Sequence, residues 1–361
     1  MRLAALEKLH PGTRLARSIL DEKGTILLGS GVELTEFLTK RLLAMGITSV
    51  YIEDDRTADI VIEDVISQQT RQEALGLVHT SIADLTAPER LPRHFQQKQI
   101  GRSIRDLFDV ILSEMKSKPN ATFHLSNIYS TDNFLYHHSV NVSILAMAIG
   151  MEMGLTQKQL LDLGVGTLLH DVGKLSLPQE ILNKPGRLTV EEFEVIKQHP
   201  MVGYEILRQQ DDISILSAHV ALQHHEKLDG TGYPRGLKGD EIHLYARITA
   251  VADVYEALTA NRVYRKGQLP HLALELLLGS CGTHFQTDIV QKFLKTVSIY
   301  PLGMTVTLNT GEEGVVVEVA PRHPQRPTIR VLRNERGEDV EQPYEINLMD
   351  ELTTMIVACE M

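Results

Sequence analysis

From Ser103 to about Thr296, apolar residues recur at the three-and-four spacing of an amphipathic helix, most clearly in Val140 to Met151, Gln159 to Leu169, Ile213 to Leu222 and Leu244 to Leu258. Each such segment carries an apolar stripe that has to be covered, and stripes covering one another make a helical bundle. One helix start is written out: Thr189 and Glu192 form a capping box ahead of Phe193, Val195 and Ile196. Hydrophobic residues are 43% of the chain and aromatic residues 5%, with no Trp, which suits an aliphatic helical core and excludes collagen-like, low-complexity or wholly disordered classes.

At 361 residues the chain has room for two or three domains, at roughly 100–200 residues each. Ahead of the bundle, Leu15 to Leu20 and Thr25 to Leu28 flank the turn sequence Asp21-Glu22-Lys23-Gly24 and predict a hairpin. A short helix follows, capped by Thr35, patterned by Leu38, Leu42 and Met45 and stopped by Gly46, and then the β-rich Ser49-Val50-Tyr51-Ile52. Residues 56–100 read as a polar helical connector, marked by Gln68, Gln69, Gln72 and the cluster Gln96 to Gln99. After Pro301 the pattern turns to short β runs, Thr305 to Leu308, Val315 to Val319 and Thr328 to Leu332, separated by turn-forming sequences. The expected fold is mostly α: a helical bundle over 101–298, a small N-terminal α+β module over 1–55, the connector, and a small C-terminal β module over 299–361.

Lys and Arg number 36 against 47 Asp and Glu, a net charge of −11, so a nucleic acid polymer is a disfavoured partner. The two cysteines, Cys281 and Cys359, offer neither a disulfide framework nor a thiolate zinc site. The longest apolar run, Ile144 to Leu155, is broken by Glu152 and falls short of the roughly 20 residues a bilayer needs, and the N-terminus has no signal-peptide pattern. The expectation is a cytoplasmic protein with no membrane association.

Nine of the 15 histidines fall within residues 124 to 243. His138 lies near a helix start, His170-Asp171-Val172-Gly173-Lys174 ends a helix, His199-Pro200 sits at a helix junction, His224-His225-Glu226 ends another helix, and Asp253 is mid-helix. Imidazole and carboxylate together suit Mn, Fe or Zn. Asp171 can turn its two oxygens toward two ions, and a consistent division gives one ion His138, His170, Asp171 and Asp253 and the other Asp171, His199, His224 and His225. Two ions about 3.5–4 Å apart suit in-line displacement at phosphorus. His124, His137, His219 and His243 read as ordinary packed or surface histidines.

His170-Asp171-Val172-Gly173-Lys174 together with His224-His225-Glu226-Lys227-Leu228-Asp229-Gly230-Thr231-Gly232-Tyr233-Pro234 resembles the HD-GYP family, a bacterial branch of the HD metal-dependent phosphohydrolases, over roughly residues 120 to 295. The resemblance implies an HD-type helical bundle that hydrolyses cyclic di-GMP to pGpG and in some members to GMP. The family's metal ligands match His138, His170, Asp171, His199, His224, His225 and Asp253. It implies a phosphate contact for Lys174, one turn from Asp171, and for Arg262 and Arg265, three apart in Asn261-Arg262-Val263-Tyr264-Arg265. In the loop, Gly230 and Gly232 allow a close backbone approach to ligand and Tyr233 offers a ring for a guanine. Some members place a Glu four residues before the first ligand His, with a third metal; Phe134 stands there and cannot coordinate, so two divalent ions are expected, Fe or Mn ahead of Ni or Zn.

The expected mechanism is attack of a metal-bridging hydroxide on the phosphodiester, with Asp171 and Lys174 as catalytic residues and the 3′-oxygen leaving. Two alternatives stay open: turnover of another cyclic dinucleotide or nucleotide, and a receptor that binds cyclic di-GMP without hydrolysing it. Pro11 to Ala16 resembles a region often found ahead of this domain. A homodimer, and protein partners on the N- or C-terminal module, also stay open.

Overall fold

The helical stripes pack around one another as their spacing requires, and α4 (Phe134–Glu152) is the axis of the packing. Val142, Ile144, Leu145, Ala146, Met147 and Ile149 on this helix are all fully buried, so it is apolar nearly all round, as a central helix must be. The computed structural model describes residues 1–21, 23–86, 99–118, 134–182, 184, 186–260, 267–320, 323, 325–360, with the side chain of Phe134 left out.

Around α4 lie α5 (Gln157–Leu168), α10 (Leu244–Thr259) and α12 (Thr287–Thr296), with α8 (His199–Leu207), α9 (Ile215–Gln223), α3 (Ile100–Ser117) and α11 (Pro270–Gly279) packed on them. Two short helices, α6 (Gln179–Leu182) and α7 (Val190–Ile196), cross the segment before α8. The capping box at α7 is present: Glu192 N–H donates to Thr189 Oγ1 at 3.2 Å and Thr189 N–H to Glu192 Oε2 at 2.7 Å.

The segment expected to be a connector does more. Its helix, α2 (Gln68–Thr86), buries Ala74, Leu75, Val78 and Ile82 in the bundle core, while Gln68 and Gln69 face solvent. Exposed glutamines mask an apolar stripe that is complete on the other face.

At the N-terminus, β1 (Arg2–Ala5) pairs antiparallel with β4 (Ser49–Ile52), placing Leu3 opposite Tyr51. The hairpin joins β2 (Ile19–Leu20) to β3 (Ile26–Leu28), and Asp21 Oδ1 accepts from Lys23 N–H and Thr25 N–H at 2.9 and 2.7 Å. Between them α1 (Glu36–Ala44) is capped by Thr35, whose Oγ1 accepts from Leu38 N–H. The C-terminal sheet contains β5 (Thr305–Leu308), β6 (Glu313–Glu318), β7 (Thr328–Arg333), β8 (Asp339–Asn347) and β9 (Ile356–Cys359) in the antiparallel order β8-β7-β6-β5-β9. Sequence patterning finds the three inner strands. It misses both edges, where β8 is exposed over most of its length and carries Pro343, so it shows no inward alternation.

The two terminal modules meet. Leu3, Tyr51, Ile60 and Ile62 from one share a small core with Val315 and Leu332 from the other, Leu3 N–H donates to Gly303 O at 2.7 Å, and Arg330 grips Asp59 at 2.6 and 2.8 Å. Among the described residues no helix is long and apolar enough to cross a membrane.

Candidate metal centre

Five segments converge on one buried point. The turn after α5 carries His170 and Asp171 and continues as a short 3-10 helix over Val172–Ser176. It lies against the start of α8, which opens with His199; α9 delivers His224 and His225 at its end; α4 contributes His138 and α10 contributes Asp253. All are buried except His225, which is half-buried. Asp171 stands at the centre. Its Oδ1 is 3.4 Å from His199 Nε2 and 3.6 Å from His224 Nε2, while its Oδ2 is 3.3 Å from His170 Nε2 and 3.8 Å from His138 Nε2. Asp253 Oδ1 sits 3.1 Å from His138 Nε2 and 4.0 Å from His170 Nε2. The geometry therefore has two groups of donors sharing one carboxylate: His138 and His170 with Asp171, and His199, His224 and His225 with Asp171.

The imidazoles are turned inward by their outer nitrogens. His170 Nδ1 meets Thr167 O at 2.6 Å, His199 Nδ1 meets Ile196 O at 2.7 Å, and His224 Nδ1 meets Ala221 O at 2.9 Å. A carbonyl can only accept, so each Nδ1 carries the hydrogen and each neutral ring presents a bare Nε2 lone pair to the centre. His138 Nδ1 is held at 2.5 Å by a carboxylate, Glu256 Oε2.

These donors fit a metal and do not satisfy one another. His170 Nε2 and Asp171 Oδ1 are buried with no hydrogen-bond partner among the described residues, and His199 Nε2 faces His224 Nε2 at 3.3 Å. Two lone pairs directed at each other in a buried site call for a cation between them. The electrostatics agree. Burial pushes His199 down to about 3, and lowers His224 and His225 as well, so these rings are neutral and ready to coordinate at pH 7. For His138 burial pulls the same way, but Glu256 and Asp253 outweigh it and raise it to about 9. Burial pushes the Asp171 carboxyl up, yet His170 and Lys174 hold it well below the usual carboxylate range.

Lys174 points its ammonium at Asp171 Oδ2, 2.5 Å away, and is partly exposed at the rim. Tyr233 is placed differently from the expectation: one face of its ring stacks on His225, with centroids 4.7 Å apart and planes 30° apart, and its edge meets Phe193 at 6.1 Å. It backs the imidazole of His225. Burial, with Asp171 and Asp253, raises the Tyr233 phenol, which stays protonated. Gly232 also has a different reason: its φ is not positive, and a Cβ there would lie 2.4 Å from Lys227 N and 2.5 Å from Glu226 Cα, so the loop needs glycine to fold back on its own helix end. Arg262 and Arg265 lie outside the described residues, as does His124. His243 caps α10, accepting from Tyr245 N–H at 3.2 Å.

Four side chains packed around the site escaped the sequence reading. Glu256 follows Asp253 by three residues on one helix face, the only local signal of its role, and Asn141 donates to its Oε1 at 3.3 Å. Glu226 is buried and accepts from Arg235 N–H and Leu237 N–H at 2.7 and 2.9 Å, anchoring the loop that carries Tyr233. Phe193 is 44% exposed beside Tyr233, with the Lys197 ammonium 5.5 Å from its ring centre.

Comparison with known proteins matches residues 124–289 to the HD domain model. The chain is also 33% identical over 336 residues to the cyclic di-GMP phosphodiesterase PA4108 of Pseudomonas aeruginosa, covering 88% of this chain and 80% of that protein. The chain belongs to the HD-GYP family of HD domains. Its C-terminal sheet, residues 305–360, matches the KOW domain associated with HD domain. Two further relatives match shorter stretches of the chain. A cyclic di-GMP phosphodiesterase of Thermotoga maritima is 40% identical over 161 residues, 44% of each chain. A 3'3'-cGAMP-specific phosphodiesterase 2 of Vibrio cholerae is 36% identical over 159 residues, 44% of this chain and 30% of that one. HD-GYP phosphohydrolases depend on metal, and the convergent donors are where this chain could hold it.

Proposed function

We propose that this chain is a metal-dependent phosphodiesterase that hydrolyses cyclic di-GMP to pGpG, and on to GMP, at a centre built for two divalent ions. The observation that carries the chemistry is the Asp171 carboxylate, whose two oxygens face separate histidine groups. The near full-length likeness to PA4108 carries the choice of substrate. His138, His170 and Asp253 would hold one ion with Asp171; His199, His224 and His225 would hold the other, with Fe or Mn the metals best suited to the donors. Two such ions, when bound, make water acidic enough to act near neutral pH and stabilise charge on the attacking and leaving oxygens. The chain's own residues do the rest. Asp171 sets the spacing, Lys174 at the rim neutralises charge on the phosphoryl oxygens, and Arg262 and Arg265 would grip a second phosphate. Phe193 and Tyr233 wall the mouth on the side where a purine would lie.

The test is chromatography of products after Mn- or Fe-loaded protein meets cyclic di-GMP, with Asp171→Asn alongside. Linear pGpG or GMP from the parent protein, and none from the variant, is the expected result. Intact dinucleotide from protein carrying both ions would overturn the reading in favour of a receptor. Because one relative is named for 3'3'-cGAMP, that dinucleotide is run in parallel, and faster turnover of it would move the substrate assignment.

A further inference from the structure

Behind His138 a line of polar side chains runs from the bundle's outer helix to the metal centre. Arg71 on α2 donates to Asn141 Oδ1 on α4 at 3.0 Å; Asn141 Nδ2 donates to Glu256 Oε1 on α10 at 3.3 Å; and Glu256 Oε2 lies 2.5 Å from His138 Nδ1. Glu256 is 1% exposed and Asn141 equally buried, in the middle of an aliphatic core. Burying a carboxylate is costly unless its partners make up for it, so an ordinary packing position would hold an apolar residue.

We propose that Glu256 is the positioning residue for His138, and that Asn141 and Arg71 hold Glu256 in register, so that through this line helix α2 supports the metal position His138 helps to form. The inference rests on the reading of the cluster as a two-ion centre. Three of the other inward rings take their orientation from a carbonyl three residues earlier in the chain, at a helix end: His170 from Thr167, His199 from Ile196, His224 from Ala221. His138 sits inside α4, where the carbonyls are spent on helix hydrogen bonds, and its outer nitrogen has to be oriented by another helix. A carboxylate there fixes the same inward Nε2, strengthens the ring as a donor, and ties α4 to α10 at the level of Asp253, which faces the same nitrogen at 3.1 Å. Outer partners of this kind typically contribute 10–100-fold to metal affinity.

The experiment measures metal binding by the full chain, separately from turnover. Parent, Glu256→Gln, Glu256→Asp and Asn141→Ala are stripped, titrated with Mn(II), and followed by elemental analysis and by the paramagnetic signal, in which two neighbouring manganese ions couple and a lone ion does not. The parent is expected to take up two ions with a coupled signal. Glu256→Gln is expected to keep one ion at parent affinity, bind the second 10–100-fold more weakly and show the lone-ion signal, with Glu256→Asp intermediate and Asn141→Ala weakened several-fold in the same step. Two ions at parent affinity in Glu256→Gln would overturn the inference, as would equal weakening of both ions in Asn141→Ala, the mark of a merely structural role. A parent that binds fewer than two ions would overturn the two-ion reading itself, so the two failures are distinct.

Discussion

A Cβ added to Gly173 would lie 2.1 Å from the carbonyl oxygen of His199 and 2.7 Å from Gly203 N. Helix α8 enters the site at this point, and only a residue without a side chain lets its first turn come close enough for His199 Nε2 to stand 3.4 Å from Asp171 Oδ1. Gly173→Ala should therefore push the two groups of donors apart while leaving every ligand in place. We expect a stability loss of about 1–3 kcal/mol from overpacking, together with loss of one tightly held ion, read by thermal unfolding and elemental analysis. A variant with two ions and parent activity would refute this account of the glycine.

Tyr233 and Phe193 should separate in kinetics. Phe193 touches no ligand, so Phe193→Ala should raise KM for the dinucleotide by about 5–100-fold, the range of one lost base stack, with kcat little changed. Tyr233→Ala removes the ring behind His225 and should lower metal affinity as well as raising KM. Steady-state kinetics with metal titration on both variants distinguishes the two roles.

Removing metal should destabilise the fold. With buried donors aimed at one another, the stripped protein keeps their cost without the compensation, and a ligand that binds only the folded state contributes about 2.7 kcal/mol at one hundred times its dissociation constant. Calorimetry before and after chelation should show a lower Tm, restored by Mn(II) and not by Ca(II), which prefers oxygen donors. A Tm indifferent to chelation would count against the centre.

The N-terminal module should respond to acid. Burial pushes the Asp54 carboxyl up, but hydrogen bonds and charge from Arg56 and Arg2, at 2.9 and 2.8 Å, outweigh it and hold it well below the usual carboxylate range. A depressed folded value means its contribution is complete above the unfolded value of about 3.9 and is lost as pH falls below that. Asp54→Asn should cost about 1–3 kcal/mol at pH 7, and the gap from the parent should narrow between pH 4 and pH 2 in denaturant unfolding. A gap constant with pH would show that the ion pairs contribute nothing.

How far the site was legible follows from what is local. His170, Asp171, His224 and His225 announce themselves as adjacent pairs at helix ends, and the loop from Asp229 to Pro234 is a long motif. Glu226 lies just before that loop and Glu256 one turn from Asp253, yet nothing in their spacing says that each is buried against a specific partner. Tyr233 shows the converse. Its residue type suggests an open stacking ring, and its neighbour in space, His225, already occupies one face.

Periodicity and residue chemistry, both local properties, determined by themselves a mostly helical chain, a capping box at Thr189, a flanking β module and a set of hard-to-borderline metal donors. Tertiary structure alone decided that α2 belongs to the core, that the two termini share one small core through Leu3 and Val315, and that Glu256 stands behind His138. Spacing along one helix specifies which residues share a face; which face meets which depends on helix crossings and close approaches, such as Gly173 against His199, that involve residues far apart in the chain.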